Sequence, residues 1–371
     1  MHFPFCESKC PYCDFYSMPI EDKEPTEYID AVISEAGRAA DTVYGSFIYD
    51  TIYVGGGTPS LLNADEVKRI LENLHADFNI EKDAEITIEC NPSSLTEEKI
   101  HEYLKIGINR ISLGVQSFCE AHLKTLGRLH TPEKAIETYH IMRDCGFKNV
   151  SLDLIYGIPY QTNAEWRFDL KTIIDLAPEH ISAYNLVIES GTEFGRLYNQ
   201  NRLSLPSDDE QLRMYDSLNE HLKNAGYRRY EISNFSKPGF ECRHNLKYWT
   251  GKPYLGLGPS AVSYNGKTRR KNSADIEAYL RRAREGTEFP FETEIIDRET
   301  ALRESIMSGL RLTKGVSLAN LKDRFGYDLR EDKRDTINSL LSERMITIED
   351  EFLKLTDKSL FISDSIMVKL I

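Results

Sequence analysis

The chain has 371 residues, 40% hydrophobic and 28% charged, proportions that suit a globular protein with one large domain and a smaller one. With 46 basic against 59 acidic side chains the net charge is −13, which opposes the broad basic footprint of a nucleic-acid-binding surface. No run of 18 or more apolar residues offers a membrane span, no leader precedes the first polar stretch, and seven cysteines make no disulfide framework, so a cytoplasmic protein is expected.

Over the first 230 residues, short β-rich runs alternate with amphipathic segments. The predicted strands are "HFPF" before Cys6, then 47–57, 84–90, 110–117, 149–157 and 180–189, each rich in Ile, Val, Leu or Tyr and most closed by a Gly, Asn or polar residue. Between them the pattern predicts helices over 63–78, with Asn63 as N-cap, over 96–107, starting at Thr96, and over 131–146, with Pro132 in the first turn and Gly146 past the end. Six β-α units of this length predict a parallel sheet with right-handed crossovers. Such a sheet makes an open, partial (β/α)6 version of the eight-stranded TIM-type barrel. Chemistry then belongs at the carboxyl ends of the strands, where nearly every unusual motif falls.

After Trp249 the pattern changes. A glycine-rich stretch, "KPYLGLGPSAVSYNG", leads into a helical "SADIEAYLRRAREG". From about residue 297, helices and short apolar runs predict an α+β, winged-helix-like appendage. The expected division is 1–235 for the barrel, 236–296 for a connecting segment and 297–371 for the appendage.

Three cysteines stand within the first 13 residues, Cys6, Cys10 and Cys13, as C-x3-C-x2-C. A structural zinc site wants four ligands, usually as paired C-x2-C. Three thiolates on one loop suit a [4Fe–4S] cluster with one iron left open. A zinc site completed from elsewhere, or surface thiols without a ligand role, are the alternatives. The spacing, with Phe15 two residues after Cys13, resembles the signature of the radical S-adenosylmethionine (SAM) family. That resemblance implies a partial six-unit barrel whose open iron chelates the amino and carboxylate groups of SAM. It also implies reductive cleavage to methionine and a 5′-deoxyadenosyl radical, the hard chemistry being the cofactor's.

Other strand ends extend the resemblance. "VGGGTPS" resembles the family's GGG-T-P motif, making Gly56, Gly57 and Thr58 contacts of the methionyl amino group; consecutive glycines let backbone approach a ligand. Glu89 in "IECNP", Gln116 in "GVQSF", Arg128 in "LGRLH" and Asp153 in "SLDLIYGIP" follow, and Tyr12 inside the cysteine loop joins them as a SAM contact. Each has a plainer reading, since a glutamate is usually solvated, an arginine often sits in a surface ion pair, and an aspartate among apolar residues needs a salt bridge as much as a ribose. In the family the aromatic SAM contact stands just ahead of this chain's Met1.

Taken together these motifs are similar to one subfamily, that of the coproporphyrinogen III dehydrogenase HemN and the haem chaperone HemW. HemN-type chains carry a fourth cysteine where Phe15 stands here, and a long N-terminal extension. "CRHNLKYW" resembles the H-N-x-x-Y-W motif of HemW-type proteins, implying haem contacts at His244, Asn245, Tyr248 and Trp249, with Cys242 as a second axial candidate. The reading is a radical-SAM-type protein binding a [4Fe–4S] cluster, SAM and haem. It would draw on a reductant for the cluster and pass haem to an acceptor protein, with no nucleic acid involved. Oxidative decarboxylation of coproporphyrinogen III is the rival, and a radical SAM enzyme acting on RNA a more distant third. The appendage reads as a lid or docking surface.

Overall fold

Along each central strand, apolar and polar side chains alternate with the period of two that sets successive residues on opposite faces of a sheet. The computed structural model describes residues 1–20 and 25–371. In it, six parallel strands lie side by side in chain order: β1 (His2–Phe3), β2 (Ile48–Gly56), β3 (Asn79–Cys90), β4 (Arg110–Gln116), β5 (Val150–Tyr156) and β6 (His180–Asn185). Two short strands, β7 (Arg228–Arg229) and β8 (Asn234–Ser236), prolong the sheet, β8 running antiparallel to β6. The strand order begins at β1 and ends at β7 without closing, so the barrel is partial.

The apolar half of the alternation builds the core. Val54, Ile88, Leu113, Leu152 and Ile181, all at 1% exposure or less, pack with the crossover helices in one cluster; each such burial contributes about 1.5–3 kcal/mol. Those helices are α1 (Thr26–Ala40), α2 (Ala64–Asp77), α3 (Glu97–Lys105), α4 (Glu120–Thr125), α5 (Pro132–Asp144) and α6 (Asn163–Leu176). Their starts follow the local chemistry. Asn63 and Glu66 form a reciprocal capping box on α2, and Thr96 and Thr131 cap α3 and α5 through their hydroxyls.

The polar half lines the other face. Tyr53 and Glu89 hydrogen-bond across β2 and β3, and Ser112, Ser151, Asp153, His180 and Ser182 form one chain of contacts across β4, β5 and β6. The barrel interior is therefore polar where an ordinary core would be apolar.

Helices α7 (Glu193–Asn199) and α8 (Asp208–Asn224) complete the wall, followed by the short helix α9 (Arg243–Trp249). An antiparallel sheet of β9 (Val262–Tyr264), β10 (Thr268–Asn272) and β11 (Phe291–Ile295) comes next, with α10 (Ile276–Glu285) between its last two strands. The C-terminal part begins with α11 (Arg298–Arg311). Strand β12 (Val316–Ser317), helix α12 (Leu318–Phe325), α13 (Leu329–Asp332), α14 (Arg334–Ser342) and the hairpin β13 (Ile346–Glu349) and β14 (Phe352–Leu355) then give a winged-helix-like order, closed by α15 (Ser363–Leu370). It has its own core around Leu310, Leu321, Leu353 and Leu370. No helix among the described residues is long and apolar enough to cross a membrane.

Candidate functional site

The cysteine loop is fixed at both ends. Beyond β1, the segment Phe5–Cys6 pairs in parallel with Met18–Pro19. Inside the loop Cys13 N donates to Cys10 O at 3.1 Å, and Phe194 N donates to Pro11 O at 2.8 Å. All three thiols are free, half-buried and face one cavity of about 470 Å³. Burial pushes the Cys6 and Cys13 thiols up from their ordinary pKa; hydrogen bonds with Thr58 and Ser17 oppose this at Cys6. A structural zinc takes four protein ligands, and this loop offers three thiols, the donor set of a [4Fe–4S] cluster with one iron left open.

Tyr12, Gly56, Gly57, Thr58, Glu89, Gln116, Arg128 and Asp153 line this same cavity. Gly56 holds φ at 116°, a region that suits glycine, and a Cβ on Gly57 would sit 2.4 Å from Phe5 O. The Glu89 carboxylate accepts from Tyr53 Oη at 2.7 Å and from Gly56 N at 3.0 Å, and burial raises its pKa. Gln116 stands in the left-handed region (φ 68°) at a bulge between β4 and β5, which turns the strand end toward the opening. Arg128 donates from Nη2 to Gly114 O at 3.0 Å, reaches Cys10 Sγ with Nη1 at 3.8 Å, and keeps a buried Nε without a partner. Asp153 accepts from Ser112 and Ser151 hydroxyls at 2.8 and 3.0 Å, so serines rather than a salt bridge hold it; burial raises its pKa as well. Tyr12 leans on Phe194, ring centroids 6.4 Å apart, and its phenol is pushed up by burial. Cys90 also borders the cavity, but its buried thiol contacts Ile88 O at 3.8 Å. Three thiols, a glycine cradle and the Arg128 side chain lining one space fit a [4Fe–4S] cluster with a zwitterionic ligand beside it.

The "RHNLKYW" stretch is a helix, α9, whose start is capped from across the barrel. Glu85, on β3 and 6% exposed, accepts from Arg243 N at 3.2 Å and His244 N at 3.1 Å, with Cys242 Sγ at 3.6 Å. Cys242, at the N-cap, supplies no side-chain cap of its own. The four residues expected to touch haem do not converge. Asn245 lines the cysteine cavity. His244 stacks on Tyr53 at 4.9 Å, its Nδ1 paired with Thr51 Oγ1 at 2.9 Å and its Nε2 with Tyr248 Oη at 3.0 Å. Burial pushes its pKa down to about 3, so the ring is neutral at physiological pH. Tyr248 and Trp249 line a second cavity of about 590 Å³, walled also by Tyr254 and Tyr264 and edged by Lys252, Lys314 and Arg324. The Arg311 guanidinium lies 4.4 Å over the Trp249 ring, tying α9 to α11. Cys242 itself is fully buried beside Glu85. Tyr53, Glu85, Arg110 and Tyr184 are site residues that motif spacing did not single out; the period-two polar pattern of β2, β3 and β4 is the signal that marks the first three.

A half-open parallel barrel carrying three cysteines after its first strand and a glycine cradle after its second defines a radical SAM protein, and residues 1–173 match the family model described as the Radical SAM superfamily. Residues 296–362 match the HemN C-terminal domain. The curated protein named heme chaperone HemW of Lactococcus lactis is 33% identical over 99% of this chain and 95% of its own length. That of Bacillus subtilis is 35% identical over 89% of this chain and 87% of its own. The chain belongs to the HemW family. A solved structure of Escherichia coli coproporphyrinogen III oxidase (HemN) superposes over 100% of this chain and 88% of its own with a TM-score of 0.85 at 22% identity, which shows the shared fold.

Proposed function

We propose that this protein is a haem chaperone that holds a [4Fe–4S] cluster on Cys6, Cys10 and Cys13 and passes haem to an acceptor protein. The observation that carries the reading is that all three thiols and eight further groups, most of them at strand ends, line one cavity, with α9 standing between it and a second, aromatic cavity. In this reading Cys6, Cys10 and Cys13 would hold the cluster, which would supply electrons from an external reductant to SAM. Gly57, Thr58 and the Arg128 guanidinium hold SAM's amino-acid end, and Asp153, fixed by two serines, accepts from its ribose. Tyr248, Trp249 and Tyr254 offer faces to a porphyrin, and Lys252, Lys314 and Arg324 offer cations to its propionates. His244 is already neutral and becomes an axial ligand by leaving one of its two hydrogen bonds. Residues 1–235, 236–296 and 297–371 act as barrel, haem-bearing segment and docking module. Cytoplasmic placement, where free thiols stay reduced, belongs to the same reading.

Anaerobically reconstituted protein tests this. Haem titration followed at the Soret band gives saturable, stoichiometric binding, weakened at least tenfold in His244→Ala, with no turnover of coproporphyrinogen III. Turnover without saturable haem binding would make the protein a dehydrogenase and end the chaperone reading.

A further inference from the structure

We infer a second metal site, separate from the cysteine loop, on Cys119, His122 and Glu165. Cys119 and His122 lie at the start of α4 and Glu165 in the first turn of α6, so the loops after β4 and β5 bring them together. One ligand atom from each lies within 4.8 Å of the other two. His122 is buried, 4% exposed, and its Nε2 has no hydrogen-bond partner. That atom faces Glu165 Oε2 at 3.4 Å, close in distance but not hydrogen-bonded. A buried polar atom left without a partner is unfavourable, and an ion accepting its lone pair removes that cost.

The distances match one ion. For a tetrahedral zinc the N···O edge is about 3.3 Å and the S···N edge about 3.6 Å. The first is already present, and Cys119 Sγ closes the second by a shift of at most about 1.2 Å, within reach of a side-chain rotation. Thiolate, imidazole and carboxylate together select a borderline ion of the zinc class over magnesium or calcium. Three protein ligands leave the fourth position to water. Binding removes one proton from the Cys119 thiol to solvent, with no change in oxidation state. Glu165 keeps its helix-cap bonds to Thr162, which fix the carboxylate in place. The ion would pin α4, whose following loop carries Arg128 to Cys10.

The test uses the full chain in two forms. In the reconstituted protein, where iron occupies the cysteine loop, dialysis against chelator-buffered zinc followed by elemental analysis gives one zinc per chain beyond the iron. In the full chain carrying Cys6→Ala, Cys10→Ala and Cys13→Ala, cobalt(II) gives the absorption of a tetrahedral thiolate complex. Adding Cys119→Ser or His122→Gln weakens binding at least tenfold, the range that even outer-shell changes produce. Circular dichroism confirms that Cys119→Ser, a near-isosteric change, remains folded. No cobalt or zinc uptake in either form, or uptake unchanged by both substitutions, overturns the site.

Discussion

Replacing Glu85 probes how α9 is held. Its carboxylate is buried and accepts two backbone N–H groups at the start of that helix. Hydrogen bonds to a charged acceptor contribute about 1.5–3 kcal/mol each, and here two part-buried N–H groups would lose their acceptor. Glu85→Ala therefore destabilises by about 3–6 kcal/mol. Glu85→Gln keeps one acceptor oxygen, presents an amide donor to a donor, and destabilises by about 1–2 kcal/mol. Unfolding entropy of about 2.1 cal/mol/K per residue makes 1 kcal/mol worth roughly 1.3 °C in a chain of this length, so the alanine variant melts about 4–8 °C lower in calorimetry at pH 7.5. The cap also sets where His244, Tyr248 and Trp249 point. Haem binding, read at the Soret band on folded variant, weakens more than the global stability change alone allows. A Glu85→Ala chain melting within 1 °C of the parent, with unchanged haem affinity, refutes the capping role.

Gly57→Ala places a methyl 2.4 Å from Phe5 O, so the backbone behind the cysteine loop shifts at about 1–3 kcal/mol; equilibrium dialysis shows SAM bound at least tenfold more weakly. Cys10→Ala reduces iron per chain after reconstitution well below four atoms, whereas Cys145→Ala, far from the cavity lining, leaves it unchanged by elemental analysis. His130 carries a pH signature. Burial, then the Arg128 charge, hold its pKa down to about 4 against 6.5 unfolded. Its contribution is whole above pH 6.5 and is lost as pH falls toward 4, at most about 3 kcal/mol. Melts of the cluster-free chain between pH 7.5 and 5 show a slope of this sign, to which buried His244 and His180 add, and His130→Gln removes only the share of His130.

Much of this architecture can be read locally. Asn63, Thr96 and Thr131 cap helices where the sequence places them, and five strand ends carry the motifs into one cavity. Strand β3 begins at Asn79, earlier than the apolar run at 84, because "NIEKD" is charged yet pairs with Ile48 and Tyr49 at the sheet's rim. Helix α9 escapes local reading for a physical reason. None of its residues is buried, so no apolar stripe marks it, and its cap lies on β3, some 160 residues earlier. The four residues of the haem motif are near in sequence and read as one patch, but Asn245 lines one cavity and Tyr248 and Trp249, a turn further along α9, line another. Cys119, His122 and Glu165 meet only through the crossover of two strands, which spacing along the chain does not reveal.

The wet face of the barrel makes folding and loading one thermodynamic problem. A lumen of serines, carboxylates and a buried arginine cannot shrink by apolar collapse, as a solid core does. Whatever occupies it adds RT ln(1 + [L]/Kd) to the folded state, about 2.7 kcal/mol at a hundredfold excess over Kd. Under the proposed function the occupants are a cluster and SAM. Iron starvation is then expected to leave more empty chain open to proteolysis and to lower the stock of this protein even at a constant rate of synthesis, which pulse-chase labelling with and without an iron chelator checks.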